Sequence, residues 1–85
     1  MEEEIRNMND LTVNIDKLHT TPMGEERIRR NLSLQAMDVV LWCKDFVLRA
    51  ESITRKGKNF YVHGDGIVVT VNAYSFTVIT AHGGA

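Results

Sequence analysis

Apolar residues recur at intervals of three and four between Glu2 and Leu18, at Ile5, Met8, Leu11, Ile15 and Leu18. That spacing places them on one stripe of an amphipathic helix. Glu2, Glu3 and Glu4 stand in its opening turn, where the positive end of the helix dipole favours them. The stripe is interrupted by His19-Thr20-Thr21-Pro22-Met23-Gly24. Thr21 followed by Pro22 has the form of an N-cap and a first helical position, so a second helix is expected from Pro22 to about Leu32. In it Ile28 and Leu32 form an apolar pair one turn apart, while Arg27, Arg30 and Asn31 occupy polar positions. A third helix is expected from about Asp38 to Ala50, with Asp38 as its N-cap or, for a longer version, Ser33. There Val40, Cys43, Val47 and Ala50 form one stripe and Val39, Trp42 and Phe46 the next, a wide apolar surface suited to a central core helix.

After Glu51 the period changes from helical to strand-like, with β-branched and aromatic residues in short runs separated by turn dipeptides. Ser52 to Arg55 is expected to turn through Lys56-Gly57 into Lys58 to His63, and Gly64-Asp65 to lead into Gly66 to Asn72. Ala73-Tyr74 would then return the chain as Ser75 to His82. That last turn sets Val71 against Phe76 and Val69 against Val78 on one face, with Asn72 against Ser75 and Thr70 against Thr77 on the other. The alternation suits an antiparallel sheet covered on one side, its other side a polar ledge.

At 85 residues the chain has room for one core, and it is read as a single domain over residues 1–85. A domain this small buries only about 60% of the surface its unfolded chain exposes, so association into a homodimer would add to a modest stability. Ten Lys and Arg against eleven Asp and Glu leave a net charge of −1, which gives no general attraction to nucleic acid or membrane. Any polyanion site is therefore local, and two basic groups stand out: Arg27, Arg29 and Arg30, and Arg55, Lys56 and Lys58. The apolar stretches fall short of a membrane span, and the acidic start has the wrong sign for a signal peptide, so the cytoplasm is the expected location.

Cys43 is alone, which excludes an intramolecular disulfide and a cysteine-based zinc site within one chain. It stands on an apolar helical stripe, the setting of an inert thiol. His19 at the junction of two helices and His82 at the end of the last strand are candidates for proton transfer. His63 lies beside Gly64-Asp65-Gly66 and is read as a solvated turn residue. No paired-ligand spacing appears, and no metal or cofactor is implied. Arg27, Arg30, Arg55, Lys56 and Lys58 are the candidates for holding phosphate, with Tyr61, Tyr74 and Phe60 available for stacking on bases. Thr70, Asn72, Ser75, Thr77 and Thr80 make a dense polar set able to hydrogen-bond a ligand or to stabilise an exposed sheet face.

The strings LHTTPMGEERIRRNL at 18–32, DVVLWCK at 38–44, GKNFYV at 57–62 and TVNAYSFTVITAH at 70–82 resemble the small bacterial and archaeal proteins catalogued as domain of unknown function 3781. The resemblance spans about four-fifths of the chain and brings no activity with it. It singles out positions matching His19, Thr20, Thr21, Gly24, Arg27, Asn31, Trp42, Lys58, Asn59, Asn72, Ser75, Thr80 and His82. The succession of N-terminal helices and a meander ending in a Thr-and-His strand is also similar to the metal-independent ribonucleases of the barnase, colicin and RelE type. In that chemistry His19 and His82 would move the protons and Arg27 would stabilise the phosphorane charge.

The expected protein is thus α+β, about three N-terminal helices packed on a C-terminal three- to four-stranded antiparallel meander. Its expected function is that of a binding module engaging RNA or a protein partner through the basic helix and the polar sheet face. Arg27, Arg30, Arg55, Lys58, Asn59, Asn72, Ser75 and Thr80 are the binding candidates. The alternative is an RNA-cleaving enzyme built on His19, Arg27 and His82, and a structural interaction protein is a third reading.

Overall fold

The computed structural model describes residues 10–34 and 38–83. Thr21 opens the first long helix, α1 (Pro22–Leu32), by accepting a hydrogen bond from the Gly24 N–H at 3.0 Å, with Pro22 in the first turn. Ser33 closes it in the left-handed conformation (φ 55°), its N–H returned to the last carbonyls. Asp38 caps the second long helix, α2 (Val39–Arg49), accepting from the Val40 and Leu41 N–H groups at 3.0 and 3.1 Å. Thr21 is the cap the sequence offers, and of the two offered for the next helix Asp38 is the one used, Ser33 closing α1 instead.

The first expected helix is the one that departs. Residues 10–13 are helical, but the helix does not run on to Leu18; after Asn14 the chain tightens into a 3₁₀ turn, Ile15–Lys17. Asn14 donates its side-chain amide to the Asp10 carbonyl at 2.8 Å and takes φ −104°, ψ 25°, outside helical geometry. Of the three helices expected, two are full length and one is short among the described residues. The part of the first helix expected over residues 1–9 lies outside the described residues.

Four strands follow as an antiparallel meander in the order β1 (Ser52–Lys56), β2 (Asn59–Gly64), β3 (Ile67–Asn72) and β4 (Val78–Gly83). The first two turns lie one residue later than expected. Gly57 takes φ 62° at the first position of the Gly57-Lys58 turn, and Asp65 and Gly66 take φ 53° and 72° as a type I′ hairpin requires.

The third connection overturns the expected register. Val71 pairs with Val78 rather than Phe76, and beyond a bulge Thr70 pairs with Thr80 and Val69 with Ala81. The cause is Asn72, whose Oδ1 accepts from the N–H groups of Tyr74 and Ser75, both at 2.9 Å, holding open a loop wider than two residues. Phe76 completes that loop with φ 59°.

One buried cluster joins Leu11 and Leu18 from the N-terminal segment, Ile28 of α1, Val39, Cys43, Phe46 and Val47 of α2 and the inward residues of all four strands. Trp42 stacks on Phe46 with ring centroids 5.2 Å apart. The helices cover one face of the sheet. The other face carries the polar ledge, and it is uncovered among the described residues.

Candidate functional site

The outer edge of β4 is closed by the segment leading into α1. His19 and Thr77 form a parallel bridge: the His19 N–H donates to the Phe76 carbonyl at 3.1 Å and the Val78 N–H to the His19 carbonyl at 2.7 Å. The Thr20 hydroxyl donates to the Val78 carbonyl at 2.8 Å, and the Asn31 amide to the Ala81 carbonyl at 3.2 Å. A row of otherwise unpaired edge carbonyls is thereby satisfied by side chains. Gly24 packs into this junction, because a Cβ there would overlap the Thr20 hydroxyl.

The His19 ring sits in a line of polar atoms. Nδ1 lies 2.9 Å from the Lys17 carbonyl, which can only accept, so Nδ1 carries a proton. Nε2 lies 3.1 Å from the Thr77 hydroxyl, Thr77 is 2.7 Å from the Ser75 hydroxyl, and Ser75 is 3.2 Å from Asn72 Oδ1. With a neutral ring the hydroxyl of Thr77 donates to Nε2; with a protonated ring Nε2 donates to Thr77 and the line reverses, ending on Asn72. The line of hydrogen bonds ties the β3–β4 loop to the segment that leads into α1.

The open face of the sheet is ordered in rows, since directly paired residues share a face. Ser52, His63, Val68 and His82 form one row; Thr54, Tyr61, Thr70 and Thr80 the next; Lys56, Asn59 and Asn72 the third. A shallow groove of about 460 Å³ runs between Thr54, Lys56, Tyr61 and His63. Asn59 donates to the Tyr61 hydroxyl at 3.4 Å, and its Oδ1 is buried with no hydrogen-bond partner among the described residues. Gly24 lies beside Val78 and Asn31 beside Ala81. Arg27, one helical turn before Asn31, is therefore level with the Thr80 end of the central row.

The family described as "Protein of unknown function (DUF3781)" matches residues 12–82. The chain belongs to this family. Neither a curated protein nor a solved structure matches it.

In this DUF3781 chain the sequence candidates separate into groups. Thr20, Gly24 and Asn31 have structural tasks at the β4 edge, and Thr21 caps α1. Asn72 and Ser75 are engaged in the β3–β4 loop. Asn59, Thr80 and His82 lie on the open face, and Lys58 is exposed at the adjoining turn. Arg55 points elsewhere: its guanidinium stands over the rings of Phe60 and Tyr74 and donates to the Gly57 carbonyl at 2.8 Å. Phe60 is in the core and unavailable for stacking. Arg27 and Arg30 are exposed beside a hollow of about 130 Å³ with Met23 and Glu26, and Arg30 pairs with Glu26 at 3.6 Å.

His19 and His82 do not converge within this DUF3781 chain. His19 is bridged to Thr77, and His82 lies five residues further along the strand, roughly 15 Å away at about 3.3 Å per residue. The neighbour that β4 does give His82 is Val68, with His63 on its other side. His63 is exposed on β2 close to the Asp65-Gly66 turn, and Thr77 meets His19 rather than facing Thr70. Nothing local in the sequence signals the contact of Thr77 with His19, 58 residues apart. Among the described residues no three His, Cys, Asp or Glu side chains gather to hold a metal, and no helix is long and apolar enough to cross a membrane.

Proposed function

We propose that the chain is a binding module that holds single-stranded RNA across the open face of its sheet. Tyr61, half-buried in the middle of that uncovered polar face, carries the reading. It offers a ring for base stacking beside a groove that Lys56 and His63 also line, and imidazoles stack on bases as well. Thr54 and Thr80 supply uncharged donors and acceptors along the same row, with Thr70 buried between them, and the unsatisfied Asn59 Oδ1 offers an acceptor to a base N–H. Lys56 and Lys58 stand at one corner of the face and Arg27 at the β4 side, with Arg30 beyond it, so phosphates have cations at both ends of the path. The net charge of −1 means that attraction comes from these groups and not from the whole-molecule field.

Fluorescence anisotropy of a labelled, mixed-sequence single-stranded RNA, titrated with the protein over a range of salt, tests this. Tyr61→Ala is expected to weaken binding about tenfold, at the lower end of what one stacked base contributes, and to leave the salt slope unchanged. Arg27→Ala is expected to lower the slope by about 0.7, the loss of one neutralised phosphate on a single strand. A flat titration, or equal binding by wild type and Tyr61→Ala, removes RNA from this face and leaves a protein partner in its place. The same RNA recovered after incubation in EDTA and found shortened by wild type but not by His82→Ala would make the module a ribonuclease.

A further inference from the structure

Arg29, Arg30 and Arg49 are each ion-paired. At the tip of the β1–β2 hairpin, by contrast, Arg55, Lys56 and Lys58 have no acidic partner among the described residues. These cations run round the tip from one side of the sheet to the other. Arg55, paired with Phe60, lies on the side that carries the core, and Lys56, paired with Asn59, lies on the open face. Lys58 stands exposed in the turn.

The β3–β4 loop meets this tip. The Ala73 N–H donates to the Lys58 carbonyl at 2.8 Å. Tyr74 reaches past β2 and sets its ring 5.4 Å from the Arg55 guanidinium and its hydroxyl 3.4 Å from Nη2. Arg55 is itself fixed, by Nε donating to the Gly57 carbonyl at 2.8 Å and by the Phe60 ring 5.6 Å away. Its Nη1 makes no hydrogen bond among the described residues. Tyr74 is nonetheless 74% exposed, so the guanidinium covers at most one face of the ring and the other is open to solvent. The loop is held by the Tyr74 backbone N–H on Asn72 and does not need the ring. A ring fixed in place with one face free, beside unpaired cations, is the kind of platform on which a single-stranded nucleic acid stacks.

We propose that this tip is a second contact for RNA: a strand lying on the open face continues past Lys56 and Lys58, stacks a further base on the free face of Tyr74 and sets a phosphate against Arg55 Nη1. The contact rests on the open-face reading and extends its footprint round the end of the sheet. Tyr61 and Lys58 are three residues apart, roughly 10 Å at about 3.3 Å per residue, so one strand can reach both rings. Lys56 meets the backbone of the RNA where it leaves the face, and Lys58 where it turns.

Anisotropy of a labelled, mixed-sequence single-stranded RNA of about sixteen nucleotides, at the upper end of single-strand footprints, tests this path. Tyr74→Ala and Tyr61→Ala are each expected to weaken binding about tenfold, and the stoichiometry to stay at one RNA per chain. Tyr74→Phe keeps the ring and is expected to bind as wild type does. Should Tyr74→Ala alter the circular dichroism, Tyr74→Leu supplies the same test, since it is apolar without being aromatic and is expected to weaken binding alike. Arg55→Gln is expected to lower the salt slope by about 0.7, the loss of one neutralised phosphate. Weakening by Tyr61→Ala with none by Tyr74→Ala or Tyr74→Leu overturns the contact at the tip and leaves the open-face reading standing. Two RNAs bound per chain overturn the single path. A flat titration of the wild type overturns both readings.

Discussion

At Gly24 the chain has no room for a side chain. A Cβ would press on the Thr20 hydroxyl, which cannot retreat without giving up the Val78 carbonyl. Gly24→Ala is expected to cost about 2 kcal/mol in urea unfolding, the usual scale of overpacking at a tight contact. Thr20→Ala alone should cost about 1 kcal/mol through the lost hydrogen bond. The double variant should lose less than the sum, by about 1 kcal/mol, because removing the hydroxyl makes space for the new methyl. Strict additivity would mean that the two residues do not touch. Thr21 and Pro22 were legible as a helix start because capping chemistry is completed within three residues. The requirement for glycine at position 24 was not, since it arises only when β4 lies against the same turn.

Among the elements, the β3–β4 connection departs furthest from its expected form. Alternation of apolar and polar residues identified both strands but could not count the residues in the loop between them. Asn72 decides that count by gathering the N–H groups of Tyr74 and Ser75 and the Ser75 hydroxyl onto one oxygen. Phe76 then adopts φ 59°, a conformation unfavourable for a bulky residue, held by its N–H on the Asn72 carbonyl at 2.8 Å and by packing against the core. Asn72→Ala is expected to lower stability by about 2 kcal/mol, from the loss of several hydrogen bonds at once. Amide exchange at Tyr74 and Ser75 should quicken more than at Val69 or Val71, which sit mid-ladder in the core. Uniform acceleration would place the effect in global stability rather than in the loop. The first helix failed for a related reason: one side chain, Asn14, competes with the backbone where the apolar stripe continues unbroken.

For the molecule as a whole, the core that joins both layers also governs its response to alkali. Burial pushes the Cys43 thiol up from 9.0 to about 12. Above about pH 9 the unfolded chain releases this proton while the folded chain keeps it, so the contribution is present in full below that pH and declines toward about pH 12. Between about pH 8.5 and about pH 10, wild type is expected to lose about 1 kcal/mol more than Cys43→Ala in urea unfolding. Parallel losses in the two proteins would show the thiol to be solvated. The order of elements, helices first and strands after, was determined by the sequence alone, because hydrophobic period, caps and turn dipeptides act over a few residues. So were most of the core positions, including Ile28, Cys43, Phe46 and Val69. Only the tertiary structure decided which residues meet across long separations: His19 with Thr77, Asn31 with Ala81, and His82 with Val68 and His63 rather than with His19. The physical reason is register. A shift of one residue in strand pairing exchanges the two faces of a sheet; here the Asn72 loop moves the partner of Val71 by two residues, from Phe76 to Val78, and the bulge adds the one further residue that no periodicity records.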